Sequence, residues 1–180
     1  MVDRREQVLD VLTAYQITSM MEGVVQGGTA IALKDVGKPI AGKTGTSNEA
    51  KDLWFVGFSP DLVVGLYVGY DKPRSLGRNA QAGHTSAPIA RDFMKLALAD
   101  KPAIPFKIPA GIKLIRVDSK TGMRASPGST GGTILEAFKP GTAPSDNYSS
   151  IGVADADGRT LQVPQDGDRS LFRPGTGGLY

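Results

Sequence analysis

The eight residues from Ile40 to Ser47 contain one cation, three hydroxyl groups and two glycines. Lys43 supplies a point charge that carries three hydrogen-bond donors. Hydroxyl groups follow at Thr44, Thr46 and Ser47. Gly45 has no Cβ, so a ligand can approach the main chain closely at this position. This combination of residue types predicts a site that recognises an anionic group.

Two local structures could present these groups. The first is a β-strand that carries the triplet Lys-Thr-Gly, which lines the site of serine acyl-transfer enzymes. The second is a phosphate-binding loop, because the residues from Gly37 to Thr44 fit the pattern Gly-x-x-x-x-Gly-Lys-Thr. A loop of that kind needs a buried strand before its first glycine and a helix that begins at its Lys-Thr. The flanking residues therefore discriminate between the two.

The flanking residues favour the strand. The segment before Gly37, residues 33–36, is short and charged, and Pro39 removes an N–H from a loop that would have to donate N–H groups. After the triplet, residues 53–58 and 63–70 are rich in aromatic and β-branched side chains, which is typical of strands. Two strands joined by so short a turn must be antiparallel neighbours. We therefore predict a meander of about three antiparallel strands that includes the Lys-Thr-Gly segment.

Helices are predicted before this meander. The first covers about residues 13–26, with Thr13 as its N-cap and Gln16 completing a capping box. A short helix is predicted at residues 30–35, capped by Thr29.

A further helix is predicted after the meander, with Ser86 as its N-cap. Apolar residues recur in it at helical spacing and are predicted to pack across one face of the meander: Ile89, Phe93, Leu96 and Ala97. The only histidine, His84, lies just before that cap, and we predict a solvated loop residue there.

The composition is that of a globular protein and limits the classes of function. The formal net charge is +3 without a basic run, so charge alone indicates no nucleic-acid or membrane-surface role. The absence of cysteine excludes disulfides and thiolate metal sites, and a single histidine excludes a His-rich metal site. We therefore predict neither a cofactor nor a metal. No apolar run is long enough for a membrane span or a signal peptide.

Composition divides the chain into three segments. Residues 1–100 are apolar and periodic, whereas residues 101–139 are short runs broken by Pro and Gly that predict a short β-rich extension. From residue 140 to residue 180, Gly, Pro, Ser, Thr and Asp dominate. This last segment is predicted to be mostly disordered, with a short strand near Ile151 or Leu161, because it has too little apolar surface to offset the entropy of ordering.

The ordered motifs resemble those of one protein family, the class A high-molecular-weight penicillin-binding proteins, in the C-terminal half of their transpeptidase domain. The resemblance rests on four segments: residues 41–48, 52–58, 68–71 and 87–89. Residues 13–20 resemble the family's helix upstream of the Lys-Thr-Gly strand, and residues 136–144 resemble its C-terminal extension. The resemblance implies an α+β fold in which antiparallel strands pack against helices.

The resemblance also implies a reaction. A serine attacks the D-Ala-D-Ala end of a peptidoglycan stem peptide, an amine from a second strand resolves the acyl-enzyme, and β-lactams acylate the same serine. Carried over by position, Lys43 would bind the substrate carboxylate and help to move protons, and Thr44 and Thr46 would hydrogen-bond that carboxylate. The Thr46 N–H would also be one oxyanion-hole donor, while Gly45 and Ser47 complete the substrate-binding segment. The family is anchored in the inner membrane, with its catalytic domain outside the cytoplasm.

The chain departs from the family's pattern, because it contains no Ser-x-x-Lys. A Ser-x-Asn triplet occurs only at residues 145–147, after the Lys-Thr-Gly, where the family has it before. A second Lys-Thr-Gly at residues 120–122 is predicted to be a hairpin turn with Gly122 at positive φ.

We therefore expect this chain to be part of a transpeptidase and to be inactive alone. We also expect an exposed apolar patch beside the strand, leading to self-association or to pairing with the complementary half of the domain. The alternative is a non-catalytic module that binds peptidoglycan or a partner protein.

Overall fold

A computed structural model describes residues 6–126 and 131–145, together with two short strands further along the chain. Helices and antiparallel strands follow one another in the described part. The first part contains helix α1 (Val11–Gly27), a 3-10 helix (Ile31–Val36), strands β1 (Ala41–Thr46), β2 (Asp52–Phe58) and β3 (Val63–Gly69), and helix α2 (Ser86–Ala97). A hairpin of β4 (Lys113–Asp118) and β5 (Thr133–Phe138) follows, and then β6 (Val153–Ala154) and β7 (Thr160–Leu161).

The predicted disorder of residues 140–180 falls mostly outside the described residues. Within that segment, β7 includes Leu161 and pairs with β6.

The predicted meander is confirmed. Strands β1, β2 and β3 form a three-stranded antiparallel sheet in that order. In the register of the first pair, Lys43 lies opposite Val56 and Gly45 opposite Trp54. The Lys-Thr-Gly segment is therefore extended beside an aromatic strand, and no helix begins at Thr44. The phosphate-loop alternative is wrong for this reason.

One face of the sheet forms the core and the other is exposed. Phe55 is fully buried on the core face, beneath both helices and the 3-10 helix. The buried cluster around it comprises Val24, Val25, Ala30, Leu33, Ile40, Ala87, Ala90, Met94 and Leu98. The opposite face presents Trp54 and Tyr67, each 46% exposed, whose rings lie 4.8 Å apart.

Two glycines make room for the Phe55 ring. Gly42 and Gly57 lie opposite each other on β1 and β2. A Cβ on Gly42 would lie 2.7 Å from the Phe55 ring and 2.9 Å from the Cα of Gly57. A Cβ on Gly57 would lie 2.4 Å from the same ring. The glycine that precedes Lys43 is thus required by core packing.

Helix α1 begins earlier than predicted. Its N-cap is Asp10, whose carboxylate accepts a hydrogen bond from the Thr13 N–H at 2.9 Å. An aspartate oxygen caps a helix at least as well as a threonine hydroxyl, so the predicted cap at Thr13 is wrong. Gln16 does not reach back either, because its side chain donates to the Ala137 carbonyl at 2.9 Å. This bond ties α1 to β5.

Helix α2 presents a different face to the core than predicted. Its buried residues include Ala87, Ala90 and Met94, whereas the predicted stripe of Ile89, Phe93, Leu96 and Ala97 faces solvent, with Leu96 81% exposed. Both stripes recur at helical spacing, and the small alanines let the helix lie close to the sheet. The N-cap is Thr85 and Ser86 is buried inside the helix, so the predicted cap at Ser86 is also wrong.

Candidate functional site

Strand β1 is an edge strand of its sheet within the described part of the chain. The Ser47 N–H donates to the Asp52 carbonyl at 3.0 Å, which makes these two residues a hydrogen-bonded pair. Because such pairs alternate along antiparallel strands, the main-chain groups of Lys43 and Gly45 face β2. Those of Thr44 and Thr46 point to the free edge, where they are available to a ligand.

The Lys43 ammonium lies at this same edge. Its side chain begins on the exposed face of the sheet, and its Nζ donates to the Thr44 carbonyl at 3.0 Å. Since that carbonyl points away from β2, the positive charge is placed beside the outward main-chain groups of Thr44 and Thr46.

The hydroxyl groups of Thr44 and Thr46 project from the other face of β1. The Thr44 Oγ1 lies 2.5 Å from the Thr29 Oγ1, and the Thr46 Oγ1 accepts a hydrogen bond from the Ala82 N–H at 3.1 Å. The two hydroxyls line a cavity of about 320 Å³. Its lining is completed by Thr29, Gln81, Gly83 and His84.

These four additional lining residues are not evident from the sequence. Thr29 is no helix cap, because the 3-10 helix that follows has no side-chain cap. His84 is exposed, as predicted for a loop residue, yet it lies beside the site. Contacts across 15 and 36 residues bring Thr29 and the loop at Ala82 to β1, and no local pattern encodes them.

Ser47 holds the turn that follows β1. Its Oγ accepts from the Asp52 N–H at 2.8 Å and donates to the Asp52 carboxylate at 3.1 Å. The other Asp52 oxygen accepts from the Tyr67 hydroxyl at 2.8 Å, and this bond, with burial, raises the pKa of Tyr67. The Asp52 carboxylate is therefore engaged with neutral donors, and the Glu49 carboxylate, which is nearer to the Lys-Thr-Gly segment in sequence, pairs with the Lys51 ammonium at 2.8 Å.

Gly45 is not required by the packing of the sheet. A Cβ at this position would lie 3.5 Å from the Trp54 Cβ, which is an ordinary contact. The position is open above the exposed face, unlike Gly42.

A larger cavity, of about 620 Å³, lies between α1 and the β4–β5 hairpin. Its lining includes Glu22 and Glu136, and burial raises the pKa of both carboxyl groups. Two carboxyl groups suit an anion poorly, and no residue of β1 contributes to this cavity. The smaller cavity beside Thr44 and Thr46 is therefore the candidate site for an anionic ligand.

Comparison with known proteins decides the family. The model of the penicillin binding protein transpeptidase domain matches residues 3–95, which include β1 and the whole lining of the smaller cavity. The chain belongs to this family. Penicillin-binding protein 1A of Rickettsia conorii is 54% identical over 133 residues, which are 74% of this chain and 16% of that protein. Penicillin-binding protein 1A of Pseudomonas aeruginosa is 44% identical over 137 residues, again 74% of this chain and 16% of that protein.

A solved structure shows the same fold. The crystal structure of penicillin-binding protein 1A from Haemophilus influenzae matches with a TM-score of 0.64 and 33% identity, over 78% of this chain and 22% of that one. The predicted α+β fold, a partial penicillin-binding-protein transpeptidase fold, is thereby confirmed. The chain spans 16% of the length of the curated relatives described above.

Proposed function

We propose that the free edge of β1 binds the carboxylate-bearing D-Ala-D-Ala end of a peptidoglycan stem peptide, or a β-lactam. The observation that carries the proposal is the convergence at one edge of the Lys43 ammonium with the outward main-chain groups of Thr44 and Thr46. An extended peptide adds to such an edge through main-chain hydrogen bonds, and Gly45 leaves room beside it.

Each residue of the predicted site has a role in this proposal. Lys43 and the Thr44 hydroxyl bind the ligand carboxylate through charge-assisted hydrogen bonds, which are stronger than bonds between neutral groups. The Thr46 N–H faces the edge and serves as an oxyanion-hole donor when a nucleophile is supplied. Ser47 fixes the turn to Asp52 and thereby the end of the strand.

The proposed binding can be measured by NMR. Titration of the labelled chain with N-acetyl-Lys-D-Ala-D-Ala should shift the amide resonances of residues 44–47. Lys43→Ala should weaken binding by about tenfold or more, since a hydrogen bond to a charged group contributes about 1.5–3 kcal/mol. Lys120→Ala is the matched control, from the second Lys-Thr-Gly, and should leave the affinity unchanged. Titration without any shift at residues 44–47 would contradict the proposal.

We also propose that this chain forms no acyl-enzyme by itself. Its sequence has no Ser-x-x-Lys, and loss of the nucleophile removes almost all catalysis from such a site. Incubation with a fluorescent penicillin followed by denaturing electrophoresis should give no labelled band. A covalent band at the mass of the chain would refute this part of the proposal while leaving reversible binding intact.

An interaction role is the second candidate. The face of the sheet opposite the core presents an exposed apolar patch of Trp54, Val56, Val63 and Tyr67. We propose that this patch pairs with the complementary half of a transpeptidase domain or with a second copy of the chain. Sedimentation velocity should show association that Trp54→Lys weakens, whereas a compact monomer at high concentration would contradict it.

The three-segment division at residues 100 and 139 stays a prediction, which limited proteolysis can test through preferred cleavage near those boundaries.

Peptidoglycan lies outside the cytoplasm, so the proposal places β1 there. Among the described residues, no helix has the length and apolar character needed to cross a membrane.

A further inference from the structure

We infer that Gln81 and His84 form a second wall of the substrate site and donate hydrogen bonds to the carboxylate of a peptide held on β1. This inference deepens the proposed function and rests on it. It adds two side chains to a site that the sequence assigns to residues 43–47 alone.

The wall is a turn that is fixed against the residues flanking the site. The N–H groups of His84 and Thr85 both donate to the Gln81 carbonyl at 3.0 Å. The turn contacts β1 where the Ala82 N–H donates to Thr46. These bonds use main-chain groups of the turn, so the side chains of Gln81 and His84 are free to face the cavity that they line.

Gly83 brings the turn unusually close to Thr29. A Cβ on Gly83 would lie 2.5 Å from the Thr29 carbonyl oxygen, a main-chain atom that cannot move cheaply. Only glycine therefore permits this separation between the turn and Thr29, both of which line the cavity.

The chemistry of the lining fits a carboxylate. The Thr46 Oγ1 accepts from Ala82, so its own proton remains to be donated. The Thr29 and Thr44 hydroxyls share one hydrogen bond, which leaves a second proton available. Gln81 adds two amide donors and His84 adds a ring N–H, and none of the six lining residues carries a carboxylate. An anionic acceptor with several lone pairs satisfies such a set of donors best.

The single histidine makes a direct test possible, because every imidazole resonance belongs to His84. The labelled chain is titrated with N-acetyl-Lys-D-Ala-D-Ala and, in parallel, with the same peptide amidated at its C-terminus. We expect the His84 ring resonances to shift with the carboxylate peptide, at the same half-saturation as the amides of residues 44–47, and to stay unchanged with the amidated one.

The outcomes separate the two proposals. Shifts at residues 44–47 without any change at the His84 ring would overturn the second wall and leave the proposed function standing. A ring shift of equal size with the amidated peptide would also overturn it. Absence of shifts at both places would remove the proposed function itself, and the second wall with it.

Side-chain variants provide an independent measurement. Gln81→Ala and His84→Ala should each weaken binding of the carboxylate peptide by about three- to tenfold. Neither should change the melting temperature, because the turn is held by main-chain bonds. Gln26→Ala, on α1 and away from this cavity, is the matched control and should bind as the unmodified chain does. Unchanged affinity in both wall variants would refute the inference.

Discussion

The chain contains the triplet Lys-Thr-Gly twice, and the two copies differ in main-chain conformation and in hydrogen bonding. Residues 43–45 are extended in an edge strand, in the region that matches the transpeptidase domain. Residues 120–122 lie beyond that match, in a turn after β4. The same three residue types therefore belong to a candidate site in one place and to a turn in the other.

In the second copy, a neighbouring carboxylate occupies the donors that an anion would use. One Asp118 oxygen accepts from the Lys120 N–H at 3.0 Å, the Thr121 N–H at 2.8 Å and the Thr121 hydroxyl at 3.0 Å. Gly122 has φ +69°, as predicted for this turn. In the first copy, the main-chain groups of Thr44 point to a free edge and no carboxylate lines the adjoining cavity.

The difference teaches that the triplet acquires its chemistry from the main-chain conformation. An edge strand directs N–H groups outward, whereas a turn folds them back onto the residue that precedes it. The aromatic strand that follows the first copy supplies the pairing partner, and the second copy lacks such a strand at that position.

The largest expected effect is a loss of stability, which should be greater in the core beside the first triplet than in the core beside the second. Phe55→Ala should lower the free energy of unfolding by about 3–5 kcal/mol, because the buried ring fills the space between the sheet and both helices. Val117→Ala, in β4, removes only two methyl groups and should cost about 1.5–2 kcal/mol. Urea unfolding of both variants measures this, and equal costs would show that the two regions do not differ in core packing.

The next largest effect distinguishes the two glycines on either side of Lys43, Gly42 and Gly45, by what an added Cβ does to stability and to binding. Gly42→Ala should cost about 1–3 kcal/mol, because its Cβ meets the Phe55 ring and the Gly57 Cα below 3 Å. Gly45→Ala should change the unfolding free energy by less than about 0.5 kcal/mol and should weaken peptide binding instead. A Gly45→Ala variant that is as destabilised as Gly42→Ala would show that Gly45 serves the fold and not the ligand.

The meander could be predicted because its signals are local. Aromatic and β-branched runs on either side of a short turn indicate antiparallel neighbours, and residues 53–58 and 63–70 contain both. The strand at Lys43 followed from its flanks, since a phosphate loop would have required a helix after Thr44.

The rest of the site depends on contacts between distant residues. Thr29 pairs with Thr44, and the loop at Ala82 binds Thr46, so the cavity exists only in the folded chain. Helix α2 has two apolar stripes with the same period, and periodicity cannot select between them. The choice of the Ala90 face depends on the shape of the surface it meets, which the sequence of the helix does not contain.

A smaller effect is expected at the second triplet. Gly122 lies in the left-handed region at φ +69°, where a Cβ is disfavoured. Gly122→Ala should therefore cost about 1 kcal/mol, whereas Gly122→Asn should cost less, because asparagine tolerates this conformation. Thermal unfolding of the two variants checks the order. Equal stability of Gly122→Ala and the unmodified chain would mean that the turn does not constrain the triplet.

The smallest effect concerns the carboxylate that distinguishes the two copies. Hydrogen bonds from the Thr121 N–H, the Thr121 hydroxyl and the Lys120 N–H hold the pKa of Asp118 below its ordinary value. A lowered pKa in the folded state adds stability above the unfolded pKa, and this stability is lost as the pH falls through the folded pKa. Asp118→Asn should therefore be less stable than the unmodified chain at neutral pH, with the difference shrinking as the pH falls below the ordinary aspartate pKa and through the lower pKa of the folded state. Hydrogen exchange of the Thr121 and Gly122 amides measures the stability of this turn in both proteins. A stability difference between Asp118→Asn and the unmodified chain that does not depend on pH would show that the charge of Asp118 does not hold the turn.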